Sequence, residues 1–357
     1  MTVHDIAVIR GDGIGPELID AALTVLEKVS DTYGFDVGIT EVDAGAGTYE
    51  RTGTALPPEG LAAVRAAAAT LKGPVGLPSV RLPDGTEAGL LGGVLRSGLD
   101  LYANVRPIEL LPGVHSRLRA RPGSIDYVIV RESTEDLYAS RAKDVGTATA
   151  MADSLRVTRR GCERIARFAF DLARTRSGSR PDRVRRVTCV DKANVLRSMY
   201  LFRQVFLEVA EDYPDIQAEC LYADAAAQAL VMTPEYFDVV VTGDMFGDIL
   251  SDLGGGTVGG IAMCPSGDVG DGPACFEPLH GSAPSLVGRK KANPTGQVLA
   301  VAMMLDHLGE RAAARAVREA VRGALDMGTV KVERDGRCDS GPAAAAEAIA
   351  REVQPDA

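Results

Sequence analysis

Short apolar runs alternate along this chain with longer segments whose apolar residues recur at helical spacing, the pattern of an α/β protein with a substantially parallel sheet. The runs predict strands at Ile6–Ile9, Val37–Val42, Leu99–Val105, Tyr127–Val130, Val184–Val190, Ala218–Tyr222 and Phe237–Val241. The helical spacing predicts Pro16–Ser30, with Pro16 near its first turn, then Glu59–Ala69, a short helix at Val94–Gly98, and a long one at Asp153–Arg176 capped by Asp153. Further helices are predicted at Val195–Tyr213, Gln297–Leu308 and Glu310–Met327. Pro74–Gly93 is rich in Gly and Pro and reads as a loop, RTRSGSRPDR as an exposed connection, and the C-terminal third as Gly-rich loops before its helices.

Composition narrows the class. The 357 residues suffice for two packed domains, and 46% hydrophobic with 25% charged content is ordinary for a soluble globular protein. No apolar stretch approaches membrane-spanning length, and the N-terminus enters a strand without a cleavable leader, so a cytoplasmic protein is expected. The six cysteines lack CxxC spacing and read as reduced core thiols, which disfavours zinc. A net charge of −10 argues against a nucleic-acid partner.

The candidate chemistry sits at strand ends. In VVTGDMFGDILSDL, Asp248 and Asp252 are four residues apart on a helix that follows a buried strand, so both carboxylates face one spot. Two adjacent anions call for a hard divalent cation between them. Arg96, Arg106 and Arg131 each stand at the edge of an apolar element, and their convergence would suit a substrate with several carboxylates. Tyr138 in RESTEDLY and Lys192 in VDKANVL could supply proton-transfer groups. GDGIGPE, residues 11–17, lies between strand and helix and fits either an anion-holding loop or a tight structural turn; it is not a GxGxxG fingerprint.

Taken with LYANVRP, YADAAAQ, FEPLHGSAP and ANPTGQ, these segments resemble the β-decarboxylating dehydrogenases, the isocitrate, homoisocitrate, 3-isopropylmalate and tartrate dehydrogenases. The resemblance implies a two-domain fold that is not Rossmann, with a discontinuous cofactor domain (residues 1–101 and 259–357) and a dimerisation and metal domain (102–258). It implies Mg²⁺ or Mn²⁺ held by Asp248, Asp252 and Asp224, with Asp224 and Lys192 donated across a homodimer. The three arginines would grip a malate's carboxylates, Lys192 would take the hydroxyl proton, and Tyr138 would protonate the enolate. Cofactor contacts would come from Ile14, Glu277, His280, Gly281, Ser282, Ala283, Ser285 and Asn293. Ser285 stands where NAD-using members carry Asp, and Arg289, Lys290, Lys291, Lys331 and Arg334 offer positive charge, so the cofactor is NAD or NADP with a lean to NADP. Asp244 stands where Asn is more usual, and nothing in the sequence accounts for it.

The same resemblance frames the substrate. Leu90 and Gly92 occupy the positions where isocitrate enzymes bind the third carboxylate through Ser and Asn, and Gly92 and Gly93 replace the Leu pair of isopropylmalate enzymes. Lys72, however, matches the lysine of isocitrate-type enzymes, and the backbone at Gly92–Gly93 offers N–H groups to an anion. The expected substrate is therefore a malate with an anionic 3-substituent, homoisocitrate-like or phosphonate-bearing; 3-isopropylmalate and tartrate or malate are the alternatives. A non-catalytic regulatory subunit is disfavoured because Tyr138, Lys192 and the metal aspartates are all present.

Overall fold

The computed structural model describes residues 2–140, 146–147 and 149–355. Ten strands form one mixed sheet: β1 (Val3–Ile9), β2 (Asp36–Glu41), β3 (Ala69–Lys72), β4 (Ala103–Glu109), β5 (Asp126–Glu132), β8 (Arg186–Asp191), β9 (Gln217–Tyr222), β10 (Val239–Thr242), β11 (Pro265–Val269) and β12 (Ala274–Pro278). Their order is β2-β1-β3-β12-β11-β4-β5-β10-β8-β9. Outer blocks β2-β1-β3-β12 and β5-β10-β8-β9 are parallel within themselves, whereas β12-β11, β11-β4 and β4-β5 are antiparallel. A separate two-stranded ribbon pairs β6 (Gly146–Thr147) with β7 (Ala150–Met151).

The inner strands of the parallel blocks are built from apolar runs because helices cover both of their faces, as in the wholly buried VVVT of β10, whereas the edge strands β2 and β9 are exposed or half-buried. The middle strands obey a different rule. Residues two apart share a face, so β4 sends Asn104 and Arg106 one way and Ala103 and Val105 the other. Register sets Asn104 opposite Asp268 of β11 and opposite Arg131 of β5, and Ser266 opposite Glu277 of β12. Phe276 lies opposite Leu71, so the next residue on each strand brings Glu277 to Lys72. One face of five adjacent strands is thereby polar, while Leu71, Phe276, Val105 and Val130 on the other are buried in the cores.

Several boundaries differ from expectation. The long helix is α5 (Arg159–Thr175), capped by Thr158, whose hydroxyl accepts from the N–H of Gly161 at 3.1 Å, so Asp153 lies outside it. The run after Glu59 splits into α3 (Pro58–Ala66) and β3, because a string of alanines carries no stop signal. The short helix, α4 (Gly92–Leu99), begins two residues early and ends at Asp100, whose φ of 50° breaks it before β4. The glycine-rich C-terminal third holds β11, β12 and α11 (Pro342–Glu352), none of which the pattern announced. No helix among the described residues is long and apolar enough to cross a membrane.

Candidate active site

A cavity of about 810 Å³ opens over the polar face of the middle strands, walled on one side by α4 and on the other by α8 (Asp244–Thr257). The chain reaches α8 directly from β10 through Gly243. Asp136 caps the helix, accepting from the N–H of Met245 at 3.2 Å, and holds a left-handed φ of 71° to do so. Gly247 lets Arg131 pass beneath α8: a Cβ there would sit 2.7 Å from the Cβ of Arg131.

The sequence-predicted cations converge. Lys72, Arg96, Arg106 and Arg131 all line the cavity, as do Gly92, Gly93, Tyr138, Asp248, Glu277, His280 and Gly281. Each cation already has an acid. Lys72 is ion-paired with Glu277, and Arg96 donates from Nε to Asp268 Oδ1 at 3.0 Å. Arg131 donates from Nε to Asp244 and from Nη1 to Asp248 Oδ1 at 2.5 Å. Arg106 donates to Ser251 Oγ at 2.6 Å and to Asp248 Oδ1 at 3.2 Å, with Asp252 3.9 Å away.

Burial and the like charge of Arg131 push the Arg106 guanidinium down to about 10, even with Asp248 beside it. Burial works against ionisation of Asp248 too, but Arg131 and Arg106 outweigh it and hold that carboxyl below its usual range. Asp252, farther from the arginines, is pushed up by burial, and Asp248 adds repulsion. The Tyr138 hydroxyl, 3.3 Å from Asp248 Oδ2, is raised by burial and then by that carboxylate. A crowded set of guanidiniums above two carboxylates is a place where an oxyanion substrate and a cation relieve each other's cost.

The donor chemistry fits a hard divalent ion, since Asp248 and Asp252 offer only carboxylate oxygens. Cys189, Asp191 and Cys220 also cluster, but Arg203 holds both Asp191 oxygens at 2.7 and 2.9 Å. Lys192 and Asp224 are not at the cavity. They pair with each other at 2.5 Å, where β8 and β9 end.

The expected cofactor residues divide. Glu277, His280 and Gly281 line the cavity, and the buried His280 Nε2 has no partner among the described residues, which suits a polar ligand atom there. Burial holds this imidazole below its ordinary range. Ile14, Ser282, Ala283, Ser285 and Asn293 lie beyond the cavity wall. Ile14 donates its N–H to Ser282 O at 2.9 Å, and Ser285 is exposed in the 3₁₀ turn Pro284–Leu286. The Asn293 side chain is spent internally, on Gly336 O at 3.0 Å and Thr295 Oγ1 at 2.7 Å. In GDGIGPE, Asp12 accepts from the N–H groups of Ala46, Gly47 and Gly76 at 2.8–2.9 Å, so this segment is a structural clamp.

The sequence flagged Asp244 without giving it a role, and did not announce Asp268, Glu277 as the partner of Lys72, Asn104 or Ser266. The usable signal was polar–apolar alternation in ANVR and PSGDV, strands that also face a core.

Comparison with known proteins agrees with this geometry. The family model described as isocitrate/isopropylmalate dehydrogenase matches residues 5–335. The chain is 42% identical over 339 residues to a 3-isopropylmalate/3-methylmalate dehydrogenase of Methanocaldococcus jannaschii, covering 95% of this chain and 96% of that protein. It is 43% identical over 328 residues to an isocitrate/homoisocitrate dehydrogenase of Thermus thermophilus, covering 91% and 92%. The crystal structure of isocitrate dehydrogenase from Methylococcus capsulatus superposes with a TM-score of 0.87 at 39% identity, covering 98% and 99%. The chain belongs to the isocitrate/isopropylmalate dehydrogenase family and is a β-decarboxylating dehydrogenase.

Proposed function

We propose that this enzyme oxidatively decarboxylates a malate carrying an uncharged, small alkyl 3-substituent, 3-isopropylmalate or 3-methylmalate. The observation that carries this reading is the ion pair between Lys72 and Glu277. Lys72, the cation expected to meet a third, anionic group, is a single ammonium spent on Glu277 and on Gly73 O at 3.4 Å, whereas each arginine, though paired, has guanidinium N–H groups beyond those its acids accept from. An added carboxylate would face Glu277 as well as Lys72 and would gain little. The nearby wall is apolar, with Leu90 and Val94 38% and 43% exposed beside Val75. At Gly93 a Cβ would meet nothing within 4 Å, so the glycine pair leaves room for a branched or a short alkyl group. The relatives named for isopropylmalate, including those of Salinibacter ruber and Corynebacterium efficiens at 42% and 44% identity, support the same choice over the anionic substituent.

In this reading Arg96, Arg106 and Arg131 hold the two malate carboxylates. Lys192 of the partner subunit accepts the C2 hydroxyl proton as hydride leaves C2. Departure of CO₂ from C3 leaves an enolate, which Tyr138 protonates at carbon. Asp248, Asp252 and Asp224 of the partner subunit would hold Mg²⁺ or Mn²⁺, which would supply Lewis acidity, and bound NAD(P) would supply the hydride acceptor. Residues 1–101 with 259–357, and residues 102–258, form the two lobes that bring these groups together. For the cofactor, Ser285 presents no acid to repel a 2′-phosphate, which supports NADP. Lys291, committed to Glu333 and Asp339 at 3.0 and 2.7 Å, is one cation fewer for it.

A substrate panel tests the reading. With Mg²⁺ and either nucleotide, kcat/KM for 3-isopropylmalate or 3-methylmalate should exceed that for isocitrate and homoisocitrate by about tenfold or more, the worth of a mismatched carboxylate. A preference for either tricarboxylate would refute it.

A further inference from the structure

Asp244 begins α8, is 2% exposed, and turns its carboxylate onto Nε of Arg131 at the edge of the cavity. Its presence needs a reason beyond the helix. Asp136 already serves the first N–H groups of α8, and burial and the nearby Asp136 charge both oppose ionisation of Asp244, though Arg131 and Arg96 favour it. A neutral side chain would start the helix at lower electrostatic cost. The carboxylate is thus placed for Arg131 rather than for α8.

Arg131 has two acidic partners with different duties. Asp248 is shared with Arg106 and is a proposed metal ligand, so its hold on Arg131 weakens once a cation is bound. Asp244 keeps its hold throughout. It fixes the plane of the guanidinium from Nε and neutralises it from behind, leaving Nη2 for substrate, and Nη1 as well where Asp248 is drawn to a cation.

Resting on the function proposed above, we infer that Asp244 is a positioning residue that sets substrate specificity, lowering the positive potential of the pocket so that a malate with an uncharged 3-substituent is preferred over a tricarboxylate. Both substrate classes share two carboxylates, so the ratio of their kcat/KM values isolates the third. Asp244→Asn removes one charge while keeping shape and an oxygen that accepts from Nε.

The experiment compares wild type with Asp244→Asn, and with Asp244→Ser should the first not fold, using Mg²⁺ and saturating nucleotide. The ratio of kcat/KM for isocitrate to that for 3-isopropylmalate should rise about tenfold, mostly through the KM of isocitrate, as expected for one unit charge lining the same partly buried cavity. A parallel loss on both substrates with an unchanged ratio would overturn the inference. If wild type itself prefers isocitrate, the functional reading fails, whereas a wild-type preference for alkylmalate with an unmoved ratio defeats only the role of Asp244.

Discussion

At the scale of single residues, Gly247 shows how one missing side chain shapes the site. Alanine in a helix is ordinarily better than glycine by about 1 kcal/mol. At this position its Cβ would lie 2.7, 2.8 and 3.1 Å from Cβ, Cγ and Cδ of Arg131, and overpacking costs about 1–3 kcal/mol. Gly247→Ala should therefore lose about 1 kcal/mol in denaturant unfolding and raise the KM for malate more than it lowers kcat. His280 offers a second residue-scale test. Burial holds its folded pKa below the ordinary 6.5, so the fold favours the neutral ring. Its contribution to stability is whole above that value and is lost as pH falls through the lower, folded one. Thermal melting should drop as pH falls below 6.5, and His280→Asn should flatten the slope in part, since His307 is lowered by burial in the same way. At this scale the converging cations and the Asp248–Asp252 pair were legible because Arg at strand ends and Asp at helical spacing are conspicuous. Their counterions were not, because Asp268 and Glu277 acquire meaning only through register between strands distant in sequence, and Asp244 only through the packing of α8 over Arg131 of β5.

At the scale of elements, α8 carries Asp244, Asp248 and Asp252 and depends on a cap from another segment. Asp136 accepts from the N–H of Met245 in a backbone conformation that favours Gly, Asn and Asp. Asp136→Ala should cost about 1–2 kcal/mol and weaken the site with it, while Asp136→Asn, which keeps both the cap and the tolerance for positive φ, should recover most of the loss. Chemical denaturation of the pair checks this. Helices with strong periodicity were legible to within a few residues. The start of α5 was misread because Asp153 and Thr158 are both acceptable caps, and only the fold selects Thr158. Strand β11 was missed because Ser266, Gly267 and Asp268 resemble loop composition, and β12 because the short run ACFEP sits between Gly- and Pro-rich segments.

At the scale of the whole molecule, the cavity gathers the arginines, Tyr138 and Asp248, whereas Lys192 and Asp224 stand apart at the ends of β8 and β9. Exposed apolar side chains on neighbouring helices, Met232 at 69% on α7 (Ala223–Met232) and Ile249 at 59% on α8, support a second copy covering this region. In the proposed dimer, Lys192 and Asp224 of the partner subunit complete each reaction centre. The most direct test refolds Lys192→Ala chains together with Asp252→Asn chains, each inactive alone. Half of the dimers should be mixed, with one intact site in two, so about a quarter of wild-type activity should return. No activity in the mixture, with mixed dimers demonstrated, would mean that each site is built from a single chain and would contradict the account.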